Sequence, residues 1–147
     1  MATKCTQALR DQLASVDESS DAWAVFFDNW KSLGPNGEYS NYFFGKDSAY
    51  SGVALTGGKL MHVHLVPILD KAALAAWDRD WSRHSRKVSD RALVYADDGR
   101  GNYLLIYVLD EPHAHAIARM ATLAEKETMQ AFAEIAAAFV FDGSVIG

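Results

Sequence analysis

The sequence predicts an α+β domain, a small and mainly antiparallel sheet with helices packed on it. Three observations carry that reading: one strand of strict alternation, one hairpin, and helical periodicity on either side of them. In chain order, "DESSDAWAVFFDNWKSLGPNG" comes first. Ser19, Ser20 or Asp21 can cap a helix there, Trp23, Phe26, Phe27 and Trp30 recur at helical spacing as a core stripe, and Gly34-Pro35 ends it. "PNGEYSNYFFGKDSAYSG" reads as a loop rich in turn formers and aromatics. "KLMHVHLVP" is the clearest strand: Met61, Val63 and Leu65 share one face, His62 and His64 the other. "KAALAAWDRDWSRHSR" begins as a helix and turns polar. "RALVYAD" and "NYLLIYVLD" pair across the turn "DGRG". From His115 to about Val140 the Ala-rich segment reads as one long amphipathic helix, stopped by Asp142-Gly143.

A chain of 147 residues, half of them apolar and 22% charged, is expected to form one domain, residues 1–147, with a core that needs no staples. No apolar run approaches the roughly 20 residues that span a bilayer, and the N-terminus lacks the hydrophobic stretch of a signal peptide. The single cysteine, Cys5, excludes an intramolecular disulfide and fits a reducing cytoplasm. A net charge of −5 argues against a protein that coats nucleic acid. The charge is uneven, however. Residues 71–91 hold Lys71, Arg79, Arg83, Arg86, Lys87 and Arg91 against three aspartates, so this stretch is basic within an acidic chain. Such a patch either grips phosphate or is a solvated helix face.

His62 and His64 lie two apart in a strand, which puts their Cα atoms roughly 6.5–7 Å apart on one face. Imidazoles titrate near neutral pH, so the pair suits proton transfer in a cleavage reaction. A metal completed by His113 or His115 is the other chemistry, but no Asp, Glu or Cys stands beside the pair in sequence. Histidines covering a solvent-bordering strand face remain the plain alternative. Arg86 offers a planar guanidinium for a phosphorane, with Asp90 to orient it or to hold a histidine tautomer. Tyr95 is either a core aromatic or a site residue.

These residues resemble the YafO family of type II toxins. "FGKDSAY", "HVHL", "SRKVSDRALVY", "LLIYVL" and "EPHAHAIAR" occur in family order across roughly residues 43–119. The matching positions are Phe44, Gly45, Lys46, Asp47, Tyr50, His62, His64, Ser85, Arg86, Asp90, Tyr95, Glu111, Pro112, His113 and Arg119. The resemblance implies a RelE-like architecture, translation-linked cleavage of mRNA on the ribosome, and a cognate antitoxin. The expected catalytic set is His62, His64, Arg86, His113, Asp90 and Tyr95, with Lys46, Arg83, Lys87, Arg91 and Arg119 as RNA contacts and no cofactor or metal. Products would be a 2′,3′-cyclic phosphate and a 5′-hydroxyl. The competing expectation is a non-catalytic binding protein on the same scaffold, inhibiting by occupancy, because such folds do not fix the chemistry.

Overall fold

The computed structural model describes residues 2–147 and has the expected α+β fold. Five strands form one sheet in the order β1-β5-β4-β3-β2: β1 (Ala2–Cys5), β2 (Phe44–Ala49), β3 (Lys59–Leu65), β4 (Ala92–Asp97) and β5 (Asn102–Leu109). All neighbours are antiparallel except β1, which runs parallel to β5. Helices α1 (Gln7–Ala14) and α2 (Ser20–Lys31) cover one face, and α5 (Ala114–Arg119) and α6 (Leu123–Asp142) cover the other. The short α3 (Gly37–Ser40) follows a 3-10 turn, and α4 (Lys71–Ser82) packs Trp77 beside β2.

The alternation in β3 sorts its side chains between two cores. Val63 and Leu65 join Leu9, Leu13, Phe27, Trp30, Leu93 and Leu105 under α1 and α2. Leu60 joins Val94, Leu104 and Ile106 under Met129, Phe132, Ala136 and Phe139 of α6. The histidine face of β3 is the one over which α5 and α6 pack, with His64 buried and His62 half-buried. Ile106 is an extra residue in β5, since Val94 opposes Tyr107 while Tyr95 opposes Leu105. This bulge shifts the alternation so that Leu105 and Val108 both reach the α1–α2 core.

The hairpin turn forms as read, with the Asp98 carboxylate accepting from the backbone N–H groups of Arg100 and Asn102. Ser19 caps α2 through the Ala22 N–H, and Gly143 closes α6 in the left-handed region at φ 79°. Three parts of the chain depart from the sequence reading. The loop assigned to residues 35–52 contains α3 and β2, the latter an edge strand recruited by pairing with β3. β1 and α1 carry too short a pattern to announce themselves. The single C-terminal helix is two: Met120 turns left-handed at φ 52°, and Thr122 with Glu125 forms a capping box that starts α6 anew. The aromatic stripe of α2 is only partly core, because Phe26 stands exposed while Phe27 and Trp30 are buried.

Gly45 is required by a close approach. A Cβ there would lie 2.4 Å from the Lys87 carbonyl oxygen and 2.7 Å from the Trp77 ring. The Gly45→Ala protein is expected to lose roughly 1–3 kcal/mol, the cost of overpacking against backbone, measured as a lower urea midpoint.

Candidate functional site

Three imidazoles meet at one end of the sheet. The His62 and His64 rings lie 5.7 Å apart on β3, and His115 of α5 comes over them with its ring 5.6 Å from that of His64. Tyr50 closes the far side, stacked on His62 at 4.2 Å and 20°. The members differ in access: His64 is 4% exposed, whereas the His115 side chain is 52% exposed. Burial, with the neighbouring charges of Lys46 and His115, pushes His62 down to about 4. Burial and the other imidazoles push His64 down to about 4 as well. Both are thus neutral at physiological pH. Among the described residues, no three His, Cys, Asp or Glu side chains converge as a metal-holding group.

The segment between α4 and β4, a strap over residues 85–91, organises this end of the molecule. Its Lys87 carbonyl accepts from the Lys46 N–H of edge strand β2. Ser89 Oγ donates to the Leu65 carbonyl, and the Ser89 N–H donates to His64 Nδ1 at 2.9 Å. The Asp90 carboxylate accepts the His115 backbone N–H at 2.7 Å and stands 3.2 Å from His115 Nδ1. The strap therefore holds one imidazole on the sheet and another on the helix.

Several residues expected at a catalytic centre are elsewhere. Arg86 does not pair with Asp90: its guanidinium forks onto Glu38 at 3.0 and 3.1 Å, and Glu38 also accepts the Asp47 N–H. Tyr95 lies on the opposite face of the sheet, wholly buried under α2, with its hydroxyl donating to Asp47 at 2.6 Å. Asp47 in turn pairs with Lys31. His113 begins α5 and is exposed; the imidazole that joins the cluster is His115, two residues on. Spacing hid this, because the turn into α5 decides which of the two faces β3.

The candidate RNA contacts divide as well. Lys87 is 0% exposed, its ammonium bonded to the Glu38 and Asn41 carbonyls and set against the rings of Trp77 and Trp81. Burial pushes it down to about 8. Arg91 is tied to Asp110 and to the Val66 carbonyl. Neither presents its charge to a ligand. Arg83 and Arg119 are exposed, and Lys46 acts on both sheet histidines through its charge. Glu111 is a clamp rather than a site residue, accepting three backbone N–H groups from Ile68, Leu69 and Asp70. On the other face an apolar groove of about 520 Å³ runs between α2 and the ends of β2 and β3, lined by Trp23, Phe26, Phe43, Leu65 and Ile68.

The molecule is thus a two-sided α+β domain that carries an imidazole cluster on one face of its sheet. The chain belongs to the family of toxin YafO, of type II toxin–antitoxin systems, which it matches over residues 28–141. That span holds the whole cluster and its strap, and membership implies a cognate antitoxin as partner. Comparison with curated proteins and with solved structures found no match. No helix among the described residues is long and apolar enough to cross a membrane.

Two outcomes follow from these environments. Unfolded histidines take up protons near 6.5, before His62 and His64 do so in the fold near 4. The unfolded state thus binds more protons between these values, and stability falls as pH drops through that window. Urea midpoints at about pH 7 and pH 5 should differ less for His62→Phe, which keeps the Tyr50 stack without titrating. Replacing Lys87 by Met should lower stability by roughly 1–3 kcal/mol in urea titrations, through two orphaned carbonyls.

Proposed function

We propose that this protein is the toxin of a toxin–antitoxin pair that cleaves mRNA on translating ribosomes in the cytoplasm. The reaction is metal-independent transesterification, leaving a 2′,3′-cyclic phosphate and a 5′-hydroxyl. RNA carries its own nucleophile, the 2′-hydroxyl, so the protein must supply a proton acceptor, charge for the phosphorane and a grip on the backbone. The observation that carries this reading is the convergence of His62, His64 and His115, with Asp90 against the exposed member. Lys46 supplies positive charge beside the cluster. Arg83 and Arg119 are solvent-facing cations available to phosphates. Arg86 is better accounted for by Glu38 than by a phosphate.

A second reading, inhibition by occupancy alone, is favoured by two observations. The sheet histidines are neutral and largely covered, and the α2 groove offers apolar surface to a protein. In vitro translation with mapping of mRNA ends separates the two. The nuclease reading expects cuts that require translation and disappear when the scissile nucleotide is 2′-deoxy. Replacing all three clustered histidines should slow cutting by about 10²-fold or more. Translation arrest with intact mRNA would overturn the nuclease reading in favour of occupancy.

A further inference from the structure

Ser89 and Asp90 are adjacent in the strap, yet each engages a different imidazole through the same ring atom. Ser89 gives its backbone N–H to His64 Nδ1. Asp90 sets a carboxylate oxygen against His115 Nδ1. A nitrogen that accepts cannot carry the proton, so a neutral His64 bears its proton on Nε2. A nitrogen facing a carboxylate is favoured as the donor, so a neutral His115 bears its proton on Nδ1 and leaves Nε2 bare. Access sorts them the same way, since His64 is covered and His115 is half exposed.

We propose that Ser89 and Asp90 divide the labour of the cluster, Asp90 holding His115 as the proton acceptor and Ser89 fixing His64 as a neutral hydrogen-bond donor. This rests on the nuclease reading and assigns the roles within it. His115 Nε2 takes the proton of the 2′-hydroxyl, and the 2′-oxygen forms a bond to phosphorus. His64 Nε2–H donates to a non-bridging phosphate oxygen. The bond from phosphorus to the 5′-oxygen breaks, that oxygen takes a proton from solvent, and His115 later returns its own to solvent. Asp90 is a positioning residue, acting through His115 alone. Its hydrogen bond from the His115 backbone N–H, at 2.7 Å, also anchors α5, a segment bounded by Pro112 and the left-handed Met120. The depressed titration of His62 and His64 agrees with this division, since neither carries at neutral pH the second proton that a general acid would give up.

The titratable and charged groups around the cluster are Asp90 from the strap, His62 and His64 from β3, Lys46 from β2 acting on both of them, and Arg119 one turn along the helix of His115. A pH profile of cleavage therefore reads His115 against these neighbours.

The experiment is single-turnover cleavage of a defined mRNA on programmed ribosomes from about pH 5.5 to 8.5, with ribosome co-sedimentation and melting temperature on the same proteins. His115→Gln should slow cleavage by about 10²–10⁴-fold and abolish the acid limb of the profile, with co-sedimentation and melting near wild type. His115→Gly should regain cleavage when free imidazole is added, because the site is open to solvent. Asp90→Asn keeps an oxygen for the α5 anchor but loses the charge, so it should move the acid limb to lower pH and leave ribosome binding intact. His84→Asn, at an exposed histidine outside the cluster, serves as the unchanged control. If wild type cuts while His115→Gln stays within about threefold of it, the division of roles is wrong and the nuclease reading stands. If wild type blocks translation without cutting, the nuclease reading fails, and the role assignment with it.

Discussion

The constraint on which the rest depends is the anchoring of the strap by a buried lysine. Lys87 sends its ammonium inward to the Glu38 and Asn41 carbonyls, between two tryptophans, while its own carbonyl pairs with edge strand β2. A buried ammonium is tolerated only when its donors are met, so this geometry admits few alternatives. The strap can lie so close because residue 45 is glycine. Once Lys87 is fixed, Ser89 and Asp90 reach the imidazoles from a rigid base.

The same anchoring turns half of the cations in the basic stretch into internal ties. Of the cations between 71 and 91, Lys87 is internal, Arg86 is committed to Glu38 and Arg91 to Asp110. These charges tie elements together: α3 to the strap, and the start of β4 to the end of β5. Lys71, Arg79 and Arg83 remain at the surface, Arg119 is exposed on α5, and Lys46 is half-buried.

The two faces of the sheet carry different chemistry for a simple reason of parity. Even-numbered residues of β3 face α5 and α6, and odd-numbered ones face α1 and α2. Tyr95 falls on the odd face with Asp47 and Lys31, forming a polar cluster among aromatic rings. The histidines fall on the other face, where α5 brings His115 over them. The apolar groove beside α2 thus lies on the face away from the imidazoles.

The fold class and the strongly patterned elements (α2, β3, α4 and the β4–β5 hairpin) were legible in the sequence, because periodicity and capping act over a few residues. The alternation in "KLMHVHLVP", the turn "DGRG" and the stop at Gly143 each hold as read. The break between α5 and α6 was also written there, in Thr122 and Glu125, though the alanine-rich pattern masked it. Tertiary structure alone decided which ions pair and which imidazoles meet. Arg86 chooses Glu38, 48 residues away. His115 rather than His113 faces β3, and Asp90 turns to helix α5 rather than to its sequence neighbour Arg86. Such choices depend on where the strap crosses the sheet. Burying Lys87 sets that crossing through contacts 46 and 49 residues apart, beyond the reach of any local pattern.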